Sequence, residues 1–249
     1  AIIAEKAGRH LKRAVLELGG KAPFVVLDDA DLDAAAAAAS FGAFMHQGQI
    51  CMSTERIVVD RRVADEFAQK LTARASALKV GDPRDPSTQI GPLINAGALE
   101  RVTELVQDAV AQGAQLLTGG EADGLVYQPT VLRGVTPAMR IYSEESFGPA
   151  VSIIEVDGAE QAIAVANDTE YGLAAAIFSR DVERAEQLAR RIQSGICHIN
   201  DATVHDEPQA PFGGVKASGW GRFGGEWAAE EFTDVRWLTV QDEQREYPI

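Results

Sequence analysis

A three-layer α/β fold built on a doubly wound, mainly parallel sheet is the class this sequence predicts, and three observations carry the prediction. Short runs such as Phe24-Val25-Val26-Leu27 and Ala174-Ala175-Ala176-Ile177-Phe178 are apolar at every position, as strands are when helices cover both faces of a parallel sheet. Such runs alternate with helix-length segments, most regularly in the order Ala150 to Val156, Gly158 to Asn167, Ala174 to Phe178, Asp181 to Ile192 and Ile196 to Ile199, the pattern of a doubly wound sheet. The 249 residues are 46% hydrophobic and 24% charged, enough for one large or two small domains with a full core.

Taken in order, Ala1 to His10 has helical spacing and Ala14 to Leu18 is a strand, with Glu17 near its end before Gly19-Gly20-Lys21. After the strand at Phe24, Asp28 to Asp33 supplies a helix N-cap and an acidic first turn. An alanine-rich helix from Asp31 to His46 follows, with Gly48 placed to end it. Cys51 then falls on the exit loop, Gln47 to Cys51, ahead of a strand at Ile57 to Asp60. Val63 to Leu78 is an amphipathic helix, 81–86 a Gly/Pro loop, and Ala96 to Gln112 another helix. Leu116 to Thr118 is a strand whose Gly119-Gly120 has no helix behind it, so a hairpin turn is expected there and not a phosphate cradle. Tyr127 to Leu132 is extended around Pro129, Asn200 to Pro211 is a polar loop, and Phe232 to Gln241 is expected as a final strand.

Composition excludes several function classes. A formal net charge of −14 with no basic cluster offers no face to nucleic acid. No run approaches the ~20 apolar residues of a membrane-spanning helix, and residues 1–10 lack the apolar core of a secretory signal. Two widely separated cysteines give neither a metal-ligand spacing nor a disulfide framework. A cytoplasmic protein without metal is expected.

The chemistry centres on Cys51 and Glu17. A thiolate attacks an electrophilic carbon, and a nearby carboxylate can activate a water that releases the acyl group. A lone cysteine is often only a small core residue, and Glu17 can be a solvated strand end. Glu145 and Phe147 are likewise either an exposed acid with a core aromatic, or a ribose acceptor beside a ring that packs on a flat base. Cys197 sits in the strand at Ile196, where a buried hydrophobe is the default. Its neighbour His198 points to the other face, so the two make no nucleophile–base pair.

The wording resolves these alternatives. Glu17-Leu18-Gly19-Gly20-Lys21, Gly48-Gln49-Ile50-Cys51 with Arg56, Glu144-Glu145-Ser146-Phe147-Gly148-Pro149, and Pro211-Phe212-Gly213-Gly214 with Lys216 and Ser218-Gly219 occur in one order, and the chain resembles the NAD(P)-dependent aldehyde dehydrogenases. The resemblance runs over the whole chain and covers the C-terminal half of the family's length. It implies a catalytic domain over residues 21–218, the end of a dinucleotide-binding domain at 1–20, and a return segment with an oligomerisation strand at 219–249. By resemblance Cys51 is the nucleophile and Glu17 the base that activates the deacylating water. Leu18 and Gly19 offer backbone near the nicotinamide, Glu145 holds its ribose, and Phe147 buttresses the ring. NAD is the implied cofactor, with NADP the alternative. The partners implied are a small aldehyde, further copies of the chain as a dimer or tetramer, and an N-terminal half that supplies the rest of the cofactor site and one oxyanion donor. The segments Met52 to Arg56 and His205 to Pro208 look most like the aromatic-aldehyde members, such as the salicylaldehyde, vanillin and benzaldehyde dehydrogenases. Rival readings are a coenzyme A-acylating dehydrogenase, a thiol esterase, and a non-catalytic half that only folds and assembles.

Overall fold

The parallel strands that place the site are β2 (Ala22–Val26), β3 (Thr54–Asp60), β8 (Ala150–Val156), β9 (Ala174–Phe178) and β10 (Ile196–Ile199), counted within a computed structural model that describes residues 1–249. With β4 (Gln115–Thr118) and β7 (Thr130–Arg133) they form a seven-stranded sheet ordered β10-β9-β2-β3-β8-β7-β4. Every neighbouring pair is parallel except β4 on β7 at the edge. The expected doubly wound, mainly parallel sheet is what the chain forms.

The two faces explain why β2 is buried at all five residues. Side chains alternate across a strand. Phe24 and Val26 enter one core with Phe67 and Leu71 of α3 (Ala64–Ala77) and the alanines of α2 (Leu32–Phe44). Val25 and Leu27 enter the opposite core with Ile163 of α6 (Gly158–Asn167) and Leu188 of α7 (Val182–Ala189). A third cluster joins α4 (Ala96–Ala111) to β7 and β8 through Leu105, Leu132 and Ile154. Asp31 caps α2 by accepting the N–H groups of Asp33 and Ala34, and Asp181 caps α7 through Arg184 N–H.

Several elements differ from the sequence expectation. The helix expected to His46 stops at Phe44 and gives way to a tight turn, Met45–Gly48, in which His46 and Gln47 take positive φ of 51° and 58°. A reversal is forced there because Gly48 packs on the Gly148 carbonyl, with no room for a Cβ. The helix expected to Ile192 ends at Ala189. Gly119-Gly120 is a corner leading out of β4 and not a hairpin tip. The hairpin lies beyond it, between β5 (Ala122–Asp123) and β6 (Val126–Tyr127), and Gly120 N–H is taken by Thr130 Oγ1 at 2.8 Å.

At the chain ends, α1 (Ile2–Arg9) forms as expected but buries no residue. The strand expected from Ala14 shrinks to β1 (Leu16–Glu17), which stays outside the main sheet and pairs antiparallel with β11 (Gly219–Trp220). The final strand expected over Phe232 to Gln241 is absent. Phe232 instead ends α8 (Gly225–Phe232), and no strand follows. The physical reason is pairing, since a strand needs a neighbour for its backbone groups and none within the chain reaches this segment. No helix is long and apolar enough to cross a membrane.

Candidate active site

The site is assembled where three loops enter the N-terminal ends of the parallel strands: Glu17 to Lys21 before β2, Gln47 to Ser53 before β3, and Glu144 to Pro149 before β8. Ser218 pins the first of these. Its hydroxyl donates to the Gly19 carbonyl at 2.7 Å and accepts Gly172 N–H at 3.0 Å, while its own carbonyl accepts Leu18 N–H at 3.2 Å. Gly20 then lies on the Cys51 carbonyl so closely that any Cβ would collide with it. This contact fixes Glu17's loop against Cys51's loop, and only glycine permits it.

Cys51 is half-buried against the small core of Ala22, Met52, Leu173 and Ala174. Burial raises its thiol above the ordinary range, and the negative charges of Glu17 and Glu145 push the same way. The backbone N–H groups of Cys51 and Met52 work against that rise. Glu17 and Glu145 both lie near enough for their charges to act on the Cys51 thiol. Both Glu17 carboxylate oxygens are buried with no hydrogen-bond partner. Burial raises the Glu17 pKa, and Arg222 nearby works against that rise.

Glu145 turns one carboxylate oxygen onto Gly20 N–H at 2.7 Å. Its other oxygen sits over Gly19, where an added Cβ would stand 2.5 Å away. Arg101 holds the Glu145 carbonyl with two donors at 2.6 and 2.9 Å. Phe147 is 38% exposed and has a φ of +51°, which for a bulky residue requires outside support. Leu18 is exposed. Glu17 and Glu145 thus lie near Cys51, Gly19 lies under the Glu145 carboxylate, and Leu18 and Phe147 are next to them in the chain. A bare glycine backbone beside an aromatic ring and a half-free carboxylate fits the nicotinamide–ribose end of a dinucleotide.

Two charged residues that sequence reading left without a role prove central. Lys21 and Glu55 form a buried ion pair, 34 positions apart, the same spacing as Glu17 and Cys51. A register shift between Ala22 and Pro23 in the β2–β3 ladder sets them side by side. The available signal was a pair of charges, Glu55-Arg56, opening a β-branched strand. Arg56, fully buried, donates to the carbonyls of Val165, Ala166 and Asp168 at the end of α6.

The loop from Asn200 to Pro211 reaches the same neighbourhood, since Val204 packs on the small core of Ala22, Met52, Leu173 and Ala174 that Cys51 also packs on. Its outer part, with His198 and His205, lines a cavity of about 290 Å³. The two imidazole rings lie 5.1 Å apart, tilted by 35°. Cys197 has its thiol pushed up to about 11 by burial, which keeps it protonated.

With this geometry in view, comparison with known proteins is informative. The profile of the family described as "Aldehyde dehydrogenase family" matches residues 1–238. Similar proteins include a vanillin dehydrogenase of Pseudomonas fluorescens, 56% identical across 100% of this chain and 52% of its own length. A salicylaldehyde dehydrogenase of Pseudomonas putida is 47% identical over 100% of the chain and 52% of its own. The crystal structure of a salicylaldehyde dehydrogenase from Pseudomonas putida G7, complexed with salicylaldehyde, superposes with a TM-score of 0.97 at 48% identity, over 100% of this chain and 51% of that one. A Mycobacterium tuberculosis aldehyde dehydrogenase complexed with NAD+ gives 0.90 at 39% identity, over 93% and 49%. The chain spans about half the length of these relatives, and it belongs to the aldehyde dehydrogenase family.

Proposed function

We propose that this chain carries the catalytic half of an aldehyde dehydrogenase that oxidises an aromatic aldehyde to its carboxylic acid with NAD. The observation that carries the reading is Glu17, a buried carboxylate with no partner whose charge acts on the only half-exposed thiol of the three-loop site. The similarity to vanillin and salicylaldehyde dehydrogenases supports the aromatic substrate, and the neighbour complexed with NAD+ supports NAD over NADP. On this reading residues 21–218 form the catalytic domain, between the end of a dinucleotide-binding domain and the return segment.

Cys51 Sγ attacks the aldehyde carbon, and the backbone N–H at Cys51 stabilises the oxyanion that forms. Gly19 and Gly20 let the nicotinamide end approach, Glu145 accepts its ribose hydroxyls, and Phe147 supports the ring. A nicotinamide bound there supplies the hydride acceptor. Glu17 then takes a proton from water, which attacks the thioester on Cys51 and releases the acid. In the relatives' architecture the other half of the polypeptide would complete the cofactor site. The apolar residues of 233–241 would seat against a second copy, making a homo-oligomer.

The test is Cys51→Ala in the native enzyme that contains this chain, assayed with NAD and an aromatic aldehyde. NADH formation is expected to vanish, and retained turnover would overturn the assignment. Adding coenzyme A should leave the free acid as product. A thioester product would favour an acylating enzyme instead.

A further inference from the structure

We propose that the buried Lys21–Glu55 pair is a positioning latch that sets the cofactor-facing loop, locking Glu145 and Phe147 in place from beneath. The inference rests on the proposed dehydrogenase reading and concerns two residues that touch no reacting atom.

The latch is built from the interior outward. Lys21 is fully buried and Glu55 is 3% exposed. Burial pulls the Lys21 ammonium below the usual lysine range, and the Glu55 carboxylate beside it works in the other direction. A buried pair of this kind adds little net stability compared with apolar residues of the same size. Its value lies in what else the carboxylate holds. Glu55 accepts Ser146 N–H on both oxygens at 2.9 Å and Phe147 N–H at 3.2 Å. These are the two backbone groups that follow Glu145. They fix the residue whose left-handed φ of +51° presents the Phe147 ring, a conformation that costs about 1–3 kcal/mol unless its surroundings hold it.

The same pair ties the other two loops to this one. Lys21 directly follows Gly20, whose N–H holds the Glu145 carboxylate at 2.7 Å. Glu55 lies four residues after Cys51, on the strand that the Cys51 loop enters. Base loop, nucleophile loop and ribose loop therefore meet on one buried ion pair. A neutral residue at 55 would leave the Lys21 ammonium unpaired and free the 145–147 turn, while Cys51 keeps its own contact with Gly20.

The experiment compares Glu55→Gln with wild type in the native enzyme. Hydrogen exchange of the peptide containing Ser146 and Phe147, measured without cofactor, is expected to speed up by about tenfold or more, the scale of one lost charged hydrogen bond. The KM and dissociation constant for NAD should rise about tenfold, with kcat and the aldehyde KM changing less than about twofold. Should Glu55→Gln fail to fold, Lys21→Met combined with Glu55→Leu fills the interior without charge, and the same rise in NAD constants is expected. Unchanged exchange at 146–147, or equal losses for NAD and aldehyde, would overturn the latch. Retained turnover in Cys51→Ala would instead overturn the dehydrogenase reading, so the two failures are distinct.

Discussion

Glu17 and Cys51 oppose each other's ionisation, and this opposition sets how the site should respond to pH. The thiol is raised by burial first and by the Glu17 charge second, so the thiolate fraction grows only on the alkaline side of neutrality. Glu17 is itself raised by burial, and its basic form builds up above the ordinary carboxylate range. Both groups must lose a proton to act, so the aldehyde reaction is expected to accelerate as pH rises through neutrality. Replacing Glu17 by Gln removes one of the charges that hold the thiol up. Alkylation of Cys51 by iodoacetamide, followed by peptide mapping to separate Cys197, should then move to lower pH even as acid release slows. An unmoved alkylation profile would mean that the two side chains do not share a site. Cys51, Glu17, Glu145 and Phe147 could be named because the motifs that hold them resemble those of a known family. Lys21 and Glu55 could not be given a role, because a buried ion pair between two parallel strands leaves no local signature beyond charges where apolar residues belong.

At the scale of elements, Arg56 joins β3 to the C-terminal end of α6. Its guanidinium meets the carbonyls of Val165, Ala166 and Asp168 at 3.0–3.1 Å, where the helix leaves its last acceptors open and its dipole is negative. Tyr142 stacks against it at 5.5 Å and donates its own hydroxyl to Asp168. Arg56→Met would leave several buried carbonyls without donors, a loss of about 3–5 kcal/mol. Arg56→Lys should recover only part of it, since an ammonium lacks the planar fork. Denaturant unfolding measures both, and a loss under about 1 kcal/mol would refute the capping role. Elements of this kind mark the boundary of sequence legibility. The strands β2 and β9 were readable because burial on both faces leaves continuous apolar runs. The end of α2 was misplaced because a tight turn through His46 and Gln47 depends on Gly148, a residue remote in sequence.

For the whole molecule, the apolar surface left uncovered at the C-terminal end needs an occupant. Val235, Trp237, Leu238 and Val240 all lie exposed, Trp237 at 89%, along a segment that pairs with no strand of its own chain. The sheet meanwhile ends at β10, a parallel strand with one ladder partner, and an unpaired edge is an invitation to another strand. Both features are met if the segment around Trp237 adds to a neighbouring copy, the arrangement proposed above for a homo-oligomer. Covering Trp237 alone would remove about 200 Å² from water, worth roughly 5 kcal/mol for each copy. A single charge there should therefore dissolve the interface. In the native enzyme, light scattering is expected to report a dimer or tetramer, and Trp237→Asp a smaller species with an unfolding midpoint that falls on dilution. An unchanged molar mass in that variant would place the subunit interface elsewhere on the molecule. The segment at 233–241 would then have to fold back on the remainder of its own polypeptide.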